Sequence, residues 1–304
     1  MENLPPEMLF EIAKALAVED LRRFRLTCRR CALATFPVLA RRLYVLNTVP
    51  CLVEFKSFLS TIPRACTKEL VIYQGKWPVI SRQAWELSPL LLPEGYPRPP
   101  SKVGEGRLNQ PTEAFLRYQD FMENERSRKS AWDMEILAEV LRRLPNLSSI
   151  SVEHLQPWGQ MSVTNPQLAR LRKEIWVSPI FNGNTDHLVQ CLSQVASSHQ
   201  KLRKLAVHGR LHSSTLQNCE GFKSIAELTL GSLVVHSEEK WNFLSSFPYL
   251  RQLDINVATN SSAAGFQHRG TFAFLTTARL RRVCISEEHL LLLVTKSPVL
   301  EKCW

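Results

Sequence analysis

The feature that most constrains this chain is a short pattern recurring through its second half: an aliphatic residue, two others, an aliphatic, one other, an aliphatic. It occurs at Leu147/Ile150/Val152, Leu202/Leu205/Val207, Ile225/Leu228/Leu230, Leu250/Leu253/Ile255 and Leu280/Val283/Ile285. The last four start 23, 25 and 30 residues apart. Alternation inside each unit fits a strand that buries every second residue. A fixed period of this size marks stacked units, none of which buries its apolar face alone. The intervening segments read as helices. Asp186 to Ser198 carries Leu188, Leu192 and Val195 after a Thr185 cap, Ser237 precedes Trp241 and Leu244, and Ser286 precedes Leu290 and Leu293. The first and second units start 55 residues apart, so an irregular segment from Leu155 to Asn184 is expected.

The front of the chain has a different period. Met8, Leu9, Ile12, Ala13 and Leu16 make one helical stripe, opened by Pro5 and Pro6 with Glu7 in the first turn. Glu19 and Asp20 start a second helix whose Leu21, Phe24 and Cys28 fall on one side. A third is expected from about Cys28 to Tyr44, with Pro37 kinking it. Three short helices bury little apolar surface and need something else to pack on.

This stretch resembles the F-box. The residues are Leu4-Pro5-Pro6-Glu7, then Asp20-Leu21, then Phe24-Arg25-Leu26-Thr27-Cys28-Arg29-Arg30, and the tail TCRRCALATFPVLARRLYV is similar to the fungal branch of the family. The resemblance implies docking on a Skp-family adaptor, and through it on a cullin, through Leu4, Pro5, Met8, Leu9, Ile12, Leu16, Leu21 and Leu26. It makes the chain the substrate receptor of a ubiquitin ligase. The second half resembles a degenerate leucine-rich-repeat region. Together they imply an α/β chain: F-box at 1–45, a helical linker region at 46–145, and a leucine-rich-repeat-like solenoid at 146–304. In such an arc the residues alternating with the buried ones face the concave side. There Lys204, His208, Glu227, Gln252, Asp254, Asn256 and Arg282 would meet an unknown client protein.

In the middle region Val53 to Ile62 reads as a helix and Glu69 to Tyr73 as a strand. Seven of the eighteen prolines lie between Pro78 and Pro111, which predicts a long irregular loop, mobile from about Leu92 to Gln110. Helices from Thr112 to about Arg128 and from Asp133 to Arg143 follow. The second buries Ile136, Leu137, Val140, Leu141 and Leu144.

Composition removes several classes. A 44% hydrophobic content suits a folded chain, and no apolar run approaches the ~18 residues of a membrane span. Glu2, Glu7 and Glu11 do not make a secretory leader, so cytoplasm or nucleus is expected. The net charge of +10 invites a nucleic-acid reading. Yet much of the excess is Arg22, Arg23, Arg25, Arg29, Arg30, Arg41 and Arg42 on the front helices, without interleaved aromatics. An interaction scaffold without ligase function is the other alternative. The eight cysteines are dispersed, as reduced thiols are. Cys28-x-x-Cys31 has no second ligand pair nearby, so no metal or other cofactor is expected. No nucleophile elbow, phosphate loop or His-Glu-x-x-His is present, and a non-catalytic role follows. The closing Leu300 to Trp304 looks like the opening of another strand, as in a fragment.

Overall fold

The computed structural model describes residues 4–62, 65–87, 109–154, 166–175, 177, 179, 184–217, 219–235, 241–258 and 271–303. It opens with α1 (Pro6–Ala15), α2 (Val18–Arg25) and α3 (Arg29–Leu39). From there strands and helices alternate: β1 (Arg42–Leu46), α4 (Val49–Phe58), β2 (Glu69–Gln74), α5 (Arg82–Leu87), α6 (Asn109–Ser127), α7 (Ser130–Arg142) and β3 (Ser149–His154). The series continues with α8 (Pro166–Ile175), α9 (Asp186–Ala196), β4 (Lys204–His212), α10 (Ser213–Gln217), β5 (Glu227–Val234), β6 (Gln252–Val257), β7 (Thr277–Arg281), α11 (Glu287–Thr295) and β8 (Lys302–Cys303). A 3-10 turn at Glu220–Phe222 follows α10 before β5, and a 3-10 helix at Trp241–Ser246 lies between β5 and β6.

The eight strands form one open sheet in which each strand pairs in parallel with the next in sequence. Register fixes two inward columns. One runs Leu43, Leu70, Ile150, Leu205, Leu228, Leu253 and Ala278, with exposed Cys303 next in register, and the other Val45, Ile72, Val152, Val207, Leu230, Ile255 and Leu280. Below each strand one carbonyl receives two N–H groups of the next unit. Arg41 O takes Lys68 and Glu69, Ser148 O takes Arg203 and Lys204, and Arg251 O takes Thr276 and Thr277. These bonds satisfy strand-entry groups that burial would otherwise leave unpaired.

The main core fills the space between the inward columns and the helices α4, α7 and α9 with the two 3-10 turns, and contains Phe55, Leu137, Val140, Leu192, Phe222, Trp241 and Phe247. Stacking is close enough at Gly221 that a Cβ there would lie 1.7 Å from the Ser193 carbonyl oxygen. A second core lies past β1: Leu46, Trp77, Trp85, Phe115, Tyr118, Phe121, Leu168 and Ile175. Gln167 of α8 accepts the Leu46 N–H at 3.0 Å, so the outer edge of β1 is covered and not left open to pairing.

Several expectations change. The third helix stops at Leu39, and Leu43 and Tyr44 belong to β1, because Leu43 and Val45 alternate with exposed Arg42 and Tyr44 and pair with β2. The sheet therefore begins at Arg42, and the strand expected at Glu69 to Tyr73 is present as β2, joining the same sheet between β1 and β3. Helix α4 starts at Val49, ahead of the expected Val53. A short helix, α5, forms at the start of the proline-rich stretch, and the mobility expected from Leu92 to Gln110 falls almost wholly outside the described residues. The fifth unit is Leu275/Ala278/Leu280, five residues before the expected one. Ala278 fills the inward position, and Arg282, at φ 58°, ends β7 before Val283 and Ile285. Thr185 sits ahead of α9 but donates its hydroxyl to Arg210 O instead of capping. Ser286 does cap α11, accepting the His289 N–H at 3.3 Å, whereas Ser237 lies outside the described residues. The expected closing strand is present as β8.

Candidate interaction surfaces

In the N-terminal unit α1 and α2 both pack on α3. Leu9, Ala13, Leu21 and Cys31 form its small interior. Residues one step round the helices point outward: Met8 is 52% exposed, Ile12 36%, Leu26 84% and Leu33 66%. Four large apolar side chains are thus exposed on one small helical unit. Of the residues expected to dock an adaptor, Pro5, Met8, Ile12 and Leu26 face solvent, and Leu4 and Leu16 are half-buried. Leu9 and Leu21 are buried, so they hold the helices together and do not stand at the centre of a surface. Leu33 was missed because the third helix had no fixed phase in the sequence. Arg30 Nη2 donates to Leu4 O at 2.6 Å and ties the chain start to α3.

The second surface is the face of the sheet opposite the main core. Register places Arg42, Glu69, Ser149, Lys204, Glu227, Gln252, Thr277 and Lys302 in one row. Arg42 pairs with Glu69 at 3.2 Å and Lys204 with Glu227 at 3.3 Å. Further along the strands, His208 Nε2 is 3.6 Å from Glu153, and Asn256 Nδ2 donates to Gly231 O at 2.9 Å. Asp254 accepts from Arg281 at 2.8 Å, with Arg279 at 4.0 Å. Lys204, His208, Glu227, Gln252, Asp254 and Asn256 thus share one face, while Arg282 falls past the strand end and Arg279 and Arg281 take its row. The 25-residue step from Leu250 to Leu275 to Leu300 was the signal for that register. At the other end Tyr44 and Tyr73 stack with centroids 6.1 Å apart, and Arg42 lies 5.4 Å from the Tyr44 ring.

Where the strands end, a cavity of about 420 Å³ opens beside Asn47, Gln74, Trp77, Glu125, Arg128, Asp133 and His187. Arg128 is the hub. It donates to Asp133, to Asn47 Oδ1 at 2.6 Å and to Glu125 at 3.4 Å, and its guanidinium lies 5.4 Å from the Trp132 ring. Glu125 Oε1 accepts the Val49 N–H at 2.6 Å, supplying from α6 the N-terminal partner that Thr48 does not give α4. Burial holds the Glu125 carboxyl above the usual range, against the pull of Val49 N–H and Arg128.

No protein-family model matches the chain, and no curated protein matches it.

His187 Nε2 is 2.7 Å from Asp133 Oδ2, and its Nε2 and Nδ1 lie 3.7 Å and 3.9 Å from Cys191 Sγ, so the ring sits between the carboxylate and the sulfur. Burial, with Asp133 adding to it, pushes the Cys191 thiol up. Among the described residues no group of three or more His, Cys, Asp and Glu is arranged to hold a metal ion. Nor is any described helix long and apolar enough to cross a membrane.

Proposed function

We propose that this chain is the substrate receptor of a Skp-cullin-F-box ubiquitin ligase, with its N-terminal helices on the adaptor and the open face of its sheet on a client protein. The observation that carries the reading is the N-terminal unit. In the stretch that resembles an F-box, the helices spend Leu9, Ala13, Leu21 and Cys31 on their own interior and turn Met8, Ile12, Leu26 and Leu33 outward. An apolar partner surface is what such a face needs.

The rest of the chain suits the second half of the role. Sequential parallel strands with alternating inward aliphatics resemble a leucine-rich-repeat arc, and stacked arcs of this kind offer extended faces for macromolecules. Here that face is polar, with its charges largely paired to one another. A cytoplasmic or nuclear location follows from the reading.

Affinity capture of the tagged full chain from cells with the proteasome blocked tests it. Adaptor and cullin should co-purify, and client proteins should accumulate in the captured fraction. Capture without adaptor or cullin contradicts the reading.

A further inference from the structure

The Cys28-x-x-Cys31 pair has no part in docking or in the sheet. Cys28 stands at the N-cap of the eleven-residue helix α3, part-exposed, and its sulfur accepts the Cys31 N–H at 3.4 Å. Cys31 lies one turn in, 0% exposed, with its sulfur 3.4 Å from that of Cys28. A solvent-facing sulfur at a helix N-terminus with a second, enclosed sulfur behind it is the arrangement in which one thiol attacks and the other resolves.

We propose that Cys28 and Cys31 are a reactive dithiol that closes reversibly to a disulfide, with Cys28 as the attacking sulfur and Cys31 as the resolving one. The order follows from access, since Cys28 is part-exposed and Cys31 is enclosed. The Cys31 N–H, then the Cys31 thiol, hold the Cys28 thiol below its ordinary range against the opposing effect of burial, with weaker help from the Arg30 N–H and Thr27 hydroxyl. A lowered thiol pKa raises the reactive thiolate share at Cys28 above that of an ordinary cysteine.

With hydrogen peroxide as oxidant, the Cys28 thiolate attacks one peroxide oxygen, the O–O bond breaks, and the departing hydroxide takes a proton to leave as water. Cys28 is then a sulfenic acid. The Cys31 sulfur attacks the Cys28 sulfur, the S–O bond breaks, and the hydroxyl leaves as water with the Cys31 proton. Two thiols and one peroxide give one disulfide and two waters. The sulfurs need to close from 3.4 Å to about 2.05 Å, which side-chain rotation supplies. Closure removes the sulfur acceptor from the Cys31 N–H, which favours the reduced form and keeps the bond reducible.

The test uses the full chain. Under limiting iodoacetamide at pH 7, Cys28 should be labelled about tenfold faster than exposed Cys284 and Cys303. After stoichiometric peroxide, blocking of free thiols and trypsin, peptide 26–29 should be joined to peptide 31–41, two hydrogens lighter than their sum, and should separate with dithiothreitol. In Cys31→Ala, glutathione disulfide should leave Cys28 as a stable mixed disulfide that the natural chain resolves. Labelling of Cys28 no faster than Cys284 and Cys303 overturns the proposal. So does peroxide treatment that carries Cys28 to sulfinic acid without the joined peptides. Should Cys31→Ala fail to fold, the labelling rates and joined peptides of the natural chain decide alone.

Discussion

Arg281 Nη2 lies 2.8 Å from Asp254 Oδ1, a contact between adjacent strands on the open face of the sheet. Both flank inward residues, Leu280 and Leu253, that belong to the core columns. The pair is solvent-facing, with Arg281 51% and Asp254 28% exposed at the side chain. Arg281→Ala should therefore cost no more than about 1 kcal/mol. Leu253→Ala, one residue from Asp254 but on the other face, should cost about 2–5 kcal/mol. Urea unfolding of the two variants checks this, and equal losses would mean that β6 and β7 are differently registered.

Arg128 holds α6 and α7 to the end of β1. Its side chain and those of Glu125 and Asp133 are 11%, 14% and 5% exposed, so removing the guanidinium leaves two buried carboxylates without their cation, Glu125 keeping only the Val49 N–H and Asp133 its His187 contact. Arg128→Ala should destabilise the chain by about 3–5 kcal/mol, and Arg128→Lys should recover only part of the loss, lacking the planar set of donors. Chemical denaturation at pH 7 gives both values. A loss under ~1 kcal/mol for Arg128→Ala would remove the hub from the account.

How much of this was legible beforehand differs by element. The α/β class and the inward residues of β3 to β6 were readable, because aliphatic alternation is a local property and the opening residues of those strands follow it, the register shifting only past Val207 and Leu230. The start of the sheet was not. Arg42 to Leu46 follows directly on a helix and its apolar residues also fit a helical phase, so only pairing with β2 decides the matter. At β7 the inward position is Ala278, too small to stand out, and the stronger aliphatics Val283 and Ile285 drew the frame five residues on. In the N-terminal unit the apolar stripe was visible, but which of its members face in was set by α3 packing. Arg128 reads as one more basic residue until Asn47, 81 residues away in sequence, is brought beside it.

Asp186 gives the fold an acid-sensitive point. Its carboxylate accepts from His212 N at 2.8 Å, Thr215 Oγ1 at 2.7 Å and His212 Nδ1 at 2.5 Å, joining α9 to the end of β4. Burial is the largest single influence and pushes its pKa up, but the hydrogen bonds from His212, Thr215 and Asn184 together hold it below the ordinary value. A depressed folded pKa means that the unfolded chain binds the proton first. Its stabilisation is present above the unfolded value, about pH 4, and is lost as pH falls through the folded one. Asp186→Ala should cost about 2–3 kcal/mol at pH 7 and flatten the melting-temperature profile below about pH 4. An unchanged acid limb in that variant would place the acid sensitivity elsewhere.

Glycine at 221 should be irreplaceable for a steric reason. Because the added Cβ would meet backbone and not a movable side chain, Gly221→Ala forces the 3-10 turn away from α9. A loss of about 1–3 kcal/mol is expected from such overpacking, read as a lowered urea midpoint. A neutral substitution would show that this layer is looser than described.

The central claim is that an outward apolar face of the N-terminal helices docks an adaptor. Calorimetric titration of a purified Skp-family adaptor into the full chain measures it directly, comparing the natural chain with Met8→Glu/Ile12→Glu and with Asp254→Arg/Arg281→Glu. Losing two central anchors should weaken binding about 100-fold or more, while the open-face pair should leave the affinity within about twofold. Binding of the natural chain that survives Met8→Glu/Ile12→Glu unchanged, or no binding by the natural chain at all, would contradict the account.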